Sequence, residues 1–592
     1  MEPATSDSPK ENWMESFEAY LTKTYGAKRL EGSALKRFRK RAVTIGWALT
    51  SPNKNELLLL AGPGFPYELP KVAWPDTSKV LVWPHIENDG VICAVPTTTT
   101  VDSAQPAKVV DELLIDSDRI ISEGMAGTNL DDFKTEFLAY WGIAADDELV
   151  VSTCDAVGNC RELPVWKRRR GSKSLWIIGE TEHQLKTWLQ RTCRVKRGDT
   201  VNLQSGLLLP LLEPLLPSEY PKNTAQLRDI AHSSGHGVAF DDVLKRSGKN
   251  PTPIIIATPS ASGLVLAAVV VSKLAKKEVA RAFNKKGATT QQKESVLFSE
   301  ERGVTLHTVK RRDAVWVHGR GLVPAVVKRQ TQKVSIIGCG SLGSSVAQHL
   351  ADAGVGSFVF VDGDNLSAEN TSRHVLGGQF LGANKAHALA LHIQARHPHV
   401  RDVSYVKQMV KASNEKLLRR IFSADLVINC SGEWPVMSLL DDIHATGTYS
   451  TALQTAWFEP HAIASVSLVS RRGGRRVRDG FEADGYQWSS VTHWPNPASS
   501  WVNLDGCAAI FADFGGTTLS AHGASVAEHA LQVLSNQEQS VAQVFVSSGE
   551  RLASHDGVWN SGWLTSQKDY EPGNRRVAAD WPFYEQPKRE LE

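Results

Sequence analysis

The sequence predicts a multidomain α/β protein with an α+β unit at its front, and three observations carry that prediction. Its 592 residues exceed what one core organises, and 42% hydrophobic residues are enough for three or four. Residues 333–362 read as strand, glycine turn, helix, strand and acid. Residues 13–145 carry a helical pattern, two short strands and a proline-marked turn ahead of Cys93. These signals divide the chain into 13–145, 146–325 and 326–592.

Composition sets limits on partners. A formal charge of +2 with 22% charged residues gives no global electrostatic signature, so no direct nucleic-acid partner is expected. Seven cysteines, an odd number without framework spacing, suit a reducing compartment with free thiols. The opening MEPATSDSPKENW has no apolar core and is not a secretory signal, so a cytoplasmic protein is expected. The apolar stretch 254–274 is broken by Thr258-Pro-Ser-Ala-Ser262; it suits a buried strand plus helix, and no membrane span is expected.

In 13–145, Met14, Phe17, Tyr20 and Leu21 recur at helical spacing, and residues 43–49 and 57–60 are strand-like. GFPYELPKV at 64–72 alternates fixed backbone with apolar anchors and leads into VLVWPHIENDGVIC at 80–93. This segment resembles a ubiquitin-conjugating enzyme, in which a proline-rich segment precedes His-Pro-Asn, a glycine, and an Ile/Val-Cys pair carrying a thioester. Counted back from Cys93, the family's His-Pro-Asn falls on Trp83-Pro84-His85, and its glycine on Gly90. The resemblance makes Cys93 the catalytic thiol. His85 stands where the family uses an amide that steadies the oxyanion; an imidazole N–H can donate the same bond or act as acid and base. For Cys93 the plain alternative is a small buried hydrophobe. Asp116 and Asp118 are too generic to assign.

Residues 146–325 show alternating strand and helix signals: strands at 174–179 and 253–257, a helix at 182–191, and an apolar run at 207–216 broken by prolines. They read as another α/β layer. The basic WKRRRGS at 166–172 reads as a solvated turn, and Cys154 and Cys160 lack partners at zinc-site spacing.

Residues 326–592 open with the chain's clearest motif. The run 334–337 leads into Gly338-Cys-Gly340-Ser-Leu-Gly343, and a second run, 358–361, ends on Asp362, about twenty residues past the last glycine. Glycines admit phosphate to the backbone, a helix N-terminus supplies N–H donors, and the acid takes ribose hydroxyls. Asp364, Asn370, Arg373 and Lys385 add polar groups beyond the needs of hydride transfer, and cations beside a polyphosphate suit nucleotidyl transfer. Here the chain resembles the ThiF/MoeB and ubiquitin-activating family, whose signature is GxGxxG, DxD, SNLxRQ and a downstream Lys; GCGSLG, DGD, ENTSR and Lys385 match it. The resemblance implies ATP as cofactor, with Asp362 on the ribose and Asn370, Arg373 and Lys385 on the phosphates. Arg373 is also placed among the catalytic residues. The family's magnesium aspartate falls on Gly432, so Glu433 is the candidate Mg²⁺ ligand; Cys430 is expected to be structural. Residues 457–469 resemble the strand before the family's crossover loop. RRGGRRVRDG at 471–480 reads as a solvated basic loop, and Cys507, glycine-flanked before a helix at 521–534, matches the acceptor thiol.

The order of parts resembles the bacterial fused conjugating/activating enzymes, above all those of CBASS antiphage operons. That resemblance implies an α+β ubiquitin-conjugating-like domain followed by α/β Rossmann-like adenylation domains, inactive over 146–325 and active over 326–592. It further implies a homodimer and an ATP-driven relay: a protein C-terminus is adenylated, captured on Cys507, passed to Cys93 and delivered to a target lysine. The carried protein is expected to be a cGAS-like nucleotidyltransferase, or alternatively a ubiquitin-like protein. An NAD-dependent oxidoreductase and a non-catalytic scaffold are the rival classes.

Overall fold

A computed structural model describes the chain except residues 1–8, 95–101, 171–172, 194, 197, 262, 284–288, 321–322, 483–484, 504–509, 512–513, 538–539, 568–574 and 587–592. It divides into two compact units, 1–179 with 202–310, and 180–201 with 311–592.

The first unit begins as the expected α+β domain. Strands Lys28–Arg29, Ile45–Thr50, Glu56–Ala61, Lys71–Ala73 and Val91–Ile92 form an antiparallel sheet in chain order. Trp47 lies opposite Leu59, and Leu49 opposite Leu57. All four face one buried core, completed by Phe17 of helix Pro9–Tyr25 and by Val110, Leu113 and Leu114 of helix Pro106–Ala126. Buried Asp118 closes the turn between the first two long strands. It accepts hydrogen bonds from Ser51 Oγ (2.7 Å), Asn53 N (3.0 Å) and Asn55 Nδ2 (2.7 Å).

The middle of the chain departs from expectation. Instead of a Rossmann-like inactive adenylation domain, seven strands close into a barrel, in the order Thr252–Ser260, Gly263–Val271, Val304–Arg311, Asp146–Ser152, Lys173–Ile178, Arg161–Arg170, Leu203–Pro210 and back to the first. The apolar stretch read as strand plus helix is two antiparallel strands, Ser260 pairing with Gly263. Its apolar residues are buried on both faces, Ile255 and Ala257 in one core and Ile254 and Ile256 in another, so no polar alternation marks it. Residues 166–170 of the basic run read as a turn lie in strand Arg161–Arg170, where Lys167 Nζ sits 4.1 Å from the centre of the Trp176 ring. Helix Glu182–Thr192 belongs to the second unit, where Arg191 donates to the carbonyl of Val400 at 2.7 Å.

The second unit is the expected α/β domain. Its parallel strands run in the order Asp402–Val406, Ser357–Val361, Lys333–Ile337, Leu426–Asn429, Ala452–Phe458, followed by antiparallel Ala464–Ser470, Ala542–Val546 and Arg575–Ala579. Alternation is strict. Val334, Ile336, Phe358 and Phe360 pack under helices Ser341–Asp352, Lys385–Arg396 and Gly516–Ser535, while Ile337, Val359 and Val361 pack under Glu415–Phe422 and Trp434–Ala445. Both faces are covered. Numbered along the chain, the five parallel strands lie in the order 3-2-1-4-5, so the sheet reverses direction between Lys333–Ile337 and Leu426–Asn429. Residues 457–469 are not one strand: Glu459-Pro460 ends one and positive φ at His461 (55°) and Ala462 (50°) turns the chain into the next. Two arginines of the basic 471–480 run are held within the chain, Arg476 by Asp441 and Asp442 (2.8 Å) and Arg478 by Asp442 (2.7 Å). No described helix is long and apolar enough to cross a membrane.

Candidate functional sites: a nucleotide-type cleft and a cysteine corner

A cleft of about 360 Å³ opens where the sheet reverses, at the carboxyl ends of its parallel strands. Each glycine of the motif has its own reason. Gly338 turns at φ +79°, and a Cβ there would lie 2.6 Å from the Ser431 backbone. A Cβ on Gly343 would lie 1.9 Å from the Gly338 carbonyl, so this residue lets helix Ser341–Asp352 seat against the turn. At Gly340 a Cβ would meet nothing within 4 Å, leaving open backbone where the helix begins.

Asp362 is 9% exposed, and burial pushes its carboxyl above the usual range against two backbone donors: Cys339 N–H to Oδ2 (2.7 Å) and Asp364 N–H to Oδ1 (2.8 Å). Asn384 donates to the carbonyls of Asp362 and Asp364, both at 3.0 Å, and starts the helix that carries Lys385. Lys385 Nζ lies 3.2 Å from Asp364 Oδ2. Arg373 sits with its guanidinium 5.2 Å from the Phe514 ring, lowered in pKa by burial.

Gly338, Gly340, Asp362, Asp364, Arg373, Lys385 and Glu433 thus line one cleft. Gly343 lies beneath the turn. Asn370 is not among the lining residues; its side chain accepts from Ser367 N–H at 3.4 Å. Cys430 is buried, its thiol pushed up to about 12, as expected of a structural cysteine. Gly432 adopts φ +69°, a conformation that disfavours a side chain at the family's magnesium position. Cys507 lies outside the described residues.

Sequence reasoning missed two features. Four aromatic residues, Trp457, Phe458, Trp501 and Phe514, also line the cleft. His374, next to Arg373, accepts Leu376 N–H on Nδ1 (3.1 Å) and therefore donates from Nε2 to the Cys339 carbonyl (2.7 Å), bracing the glycine turn. Burial lowers it to about 4, so it is neutral.

The second site lies in the first unit. Gly90 turns at φ +85°, where a Cβ would lie 2.7 Å from the Asp76 carbonyl, and delivers strand Val91–Ile92 and then exposed Cys93. Arg41 clamps this turn through Asp89 (2.6 Å) and Glu87 (2.7 Å). Cys93 N–H donates to the His85 carbonyl at 2.8 Å, and His85 holds a left-handed φ of +63°. The imidazole faces two carboxylates, Nε2 at 3.0 Å from Asp132 and Nδ1 at 3.5 Å from Glu136. Tyr140 Oη accepts His85 N–H (2.8 Å) and donates to Glu136 (3.0 Å). Burial, then Glu87 and Glu136, raise the Cys93 thiol, so at neutral pH it holds its proton.

Residues 18–150 match the family described as Prokaryotic E2 family B, and residues 324–552 match the ThiF family. Curated relatives include "Adenylyltransferase and sulfurtransferase MOCS3" of Sus scrofa, 36% identical over 20% of this chain and 26% of that protein. "ATP-dependent ubiquitin transferase-like protein Cap2" of Enterobacter hormaechei is 36% identical over 19% of this chain and 18% of its own. "SAMP-activating enzyme E1" of Haloferax volcanii is 32% identical over 19% of this chain and 41% of its own. The chain therefore spans less than half the length of each.

Proposed function

We propose that this protein is an ATP-dependent enzyme that activates the C-terminal carboxylate of a protein and conjugates it to an amine. What carries the reading is the cleft: a carboxylate fixed beside a glycine turn, two cations, and aromatic residues in one lining. Asp362 takes the ribose hydroxyls, and Gly340 lets phosphate approach the helix N-terminus. Arg373 and Lys385 stabilise charge as the donor carboxylate oxygen attacks the α-phosphorus and the bond to the β-phosphate breaks, releasing pyrophosphate.

Magnesium arriving with ATP fits this donor set. Asp364 and Glu433 would supply one or two carboxylates to an ion bound together with the nucleotide, although no group of three metal-binding side chains occurs among the described residues. The ion supplies charge neutralisation; Glu433 is the residue we assign to hold it.

The acyl group then moves to the Cys507 thiol with loss of AMP, from there to Cys93 by thioester exchange, and finally to a target lysine, whose nitrogen replaces sulfur on the carbonyl carbon. As carried protein we propose a cGAS-like nucleotidyltransferase of a CBASS system, on the order of domains. A ubiquitin-like protein is the second reading, favoured by the name of one relative, the ubiquitin transferase-like protein. Exchange of labelled pyrophosphate into ATP, with each donor offered free or C-terminally amidated, tests the activation step. Exchange that needs the free carboxylate is expected; none with any donor, despite nucleotide binding, sinks the proposal.

A further inference from the structure

The group that faces His85 comes from a distant part of the chain, and its geometry specifies a proton's location. Asp132 Oδ2 lies 3.0 Å from His85 Nε2. A carboxylate only accepts, so Nε2 carries the hydrogen. When the ring carries one hydrogen, the lone pair then lies on Nδ1. Nδ1 faces Glu136 Oε2 at 3.5 Å, a longer contact than that of Nε2 with Asp132, and the same oxygen accepts from the Tyr140 hydroxyl at 3.0 Å.

The ring is also held from its backbone. His85 keeps φ +63°, an unusual conformation for a residue with a side chain, secured by its N–H to Tyr140 Oη and by its carbonyl, which receives the N–H of Cys93. So the residue whose carbonyl receives the Cys93 N–H also carries an imidazole with its Nε2 hydrogen directed at Asp132.

We propose that Asp132 is a positioning residue that holds His85 with hydrogen on Nε2, leaving Nδ1 to take the proton from an amine attacking a thioester on Cys93. This rests on the assignment of Cys93 as the thioester carrier. In the step, the lysine first loses its ammonium proton to solvent; the neutral amine nitrogen then bonds to the carbonyl carbon, its proton passes to Nδ1, and the carbon–sulfur bond breaks to return the Cys93 thiolate, which His85 then reprotonates. The arrangement follows the base-and-orienter logic of nucleophilic sites, turned here toward the incoming amine. The Glu87 and Glu136 carboxylates that raise the thiol also make the corner attractive to a cationic lysine side chain.

The test charges Cys93 of the full-length protein from a small-molecule acyl thioester, which bypasses the cleft, and follows discharge by free lysine and by hydroxylamine. Hydroxylamine needs little base assistance. D132N is expected to slow discharge by lysine about tenfold to a hundredfold and leave hydroxylamine within about twofold. In an H85N background D132N should add nothing, since the two act as one unit. Equal slowing of both nucleophiles, or none, with Cys93 fully charged, overturns the inference and leaves the carrier assignment standing. Failure of Cys93 to accept the acyl group removes the assignment itself, and the inference with it.

Discussion

Each site has a histidine beside its motif, and the two are held in opposite ways. His374, next to Arg373, has both ring nitrogens on backbone groups and is buried, so it stays neutral and shapes the glycine turn. His85, two residues from Trp83 and bonded through its backbone to Cys93, turns its ring toward carboxylates at a partly exposed corner. Backbone partners freeze an imidazole into architecture; carboxylate partners leave it able to move a proton. The same contrast runs through the carboxylates. Asp362 has backbone donors on both oxygens, whereas Asp132 meets a side chain, the imidazole of His85.

The contrast can be sharpened first at Lys385. Replacing it with Ala is expected to lower pyrophosphate exchange about 10²–10³-fold, with the thermal midpoint nearly unchanged, because its ammonium acts on developing charge and its ion pair among the described residues is with exposed Asp364. Loss of stability in place of activity would make it architecture like His374.

The glycines give a paired test. Gly343→Ala places a methyl where the Gly338 carbonyl sits and is expected to cost about 1–3 kcal/mol in urea unfolding. Gly340→Ala meets nothing, so stability should hold while nucleotide affinity falls. Matching outcomes in the two variants would break the division of roles.

Acid should expose His374 next. Its folded pKa, lowered from 6.5 to about 4, means the folded form binds fewer protons than the unfolded chain. Its contribution is fully present above pH 6.5 and is lost as pH falls toward about 4, at up to ~1.4 kcal/mol per pH unit within that window. Asn in its place should flatten that limb of the stability–pH curve.

Arg41→Ala is the smallest expected change, about 0.5–1 kcal/mol, since its partners Glu87 and Asp89 are partly exposed. It should slow transfer at Cys93 and leave pyrophosphate exchange alone.

What was legible in the sequence was local. Spacing placed Gly338, Gly340, Asp362, Arg373 and Lys385, because a strand, a tight turn and a helix fix each residue from its neighbours; the strands at 43–49 and 57–60 and the helix at 521–534 were legible for the same reason. The barrel was not. Runs such as 252–260 and 263–271 are apolar on both faces, and periodicity cannot tell a doubly covered sheet strand from a barrel strand; only the pairing of Thr252–Ser260 with distant Leu203–Pro210 closes it. The aromatic lining was equally hidden, since Trp457, Trp501 and Phe514 come from separate segments. Asp132 lies 47 residues from His85 and carries no motif of its own.

The central claim is the relay from cleft to cysteine. Its most direct measurement is incubation of the protein with ATP, Mg²⁺ and a donor, resolved on denaturing gels with and without reductant, for wild type, Cys93→Ala and Cys507→Ala. A reductant-sensitive adduct that persists in the Cys93 variant and disappears in the Cys507 variant is the predicted result. A donor that is adenylated yet never carried by either cysteine would contradict the account and leave an adenylyltransferase preceded by a binding domain.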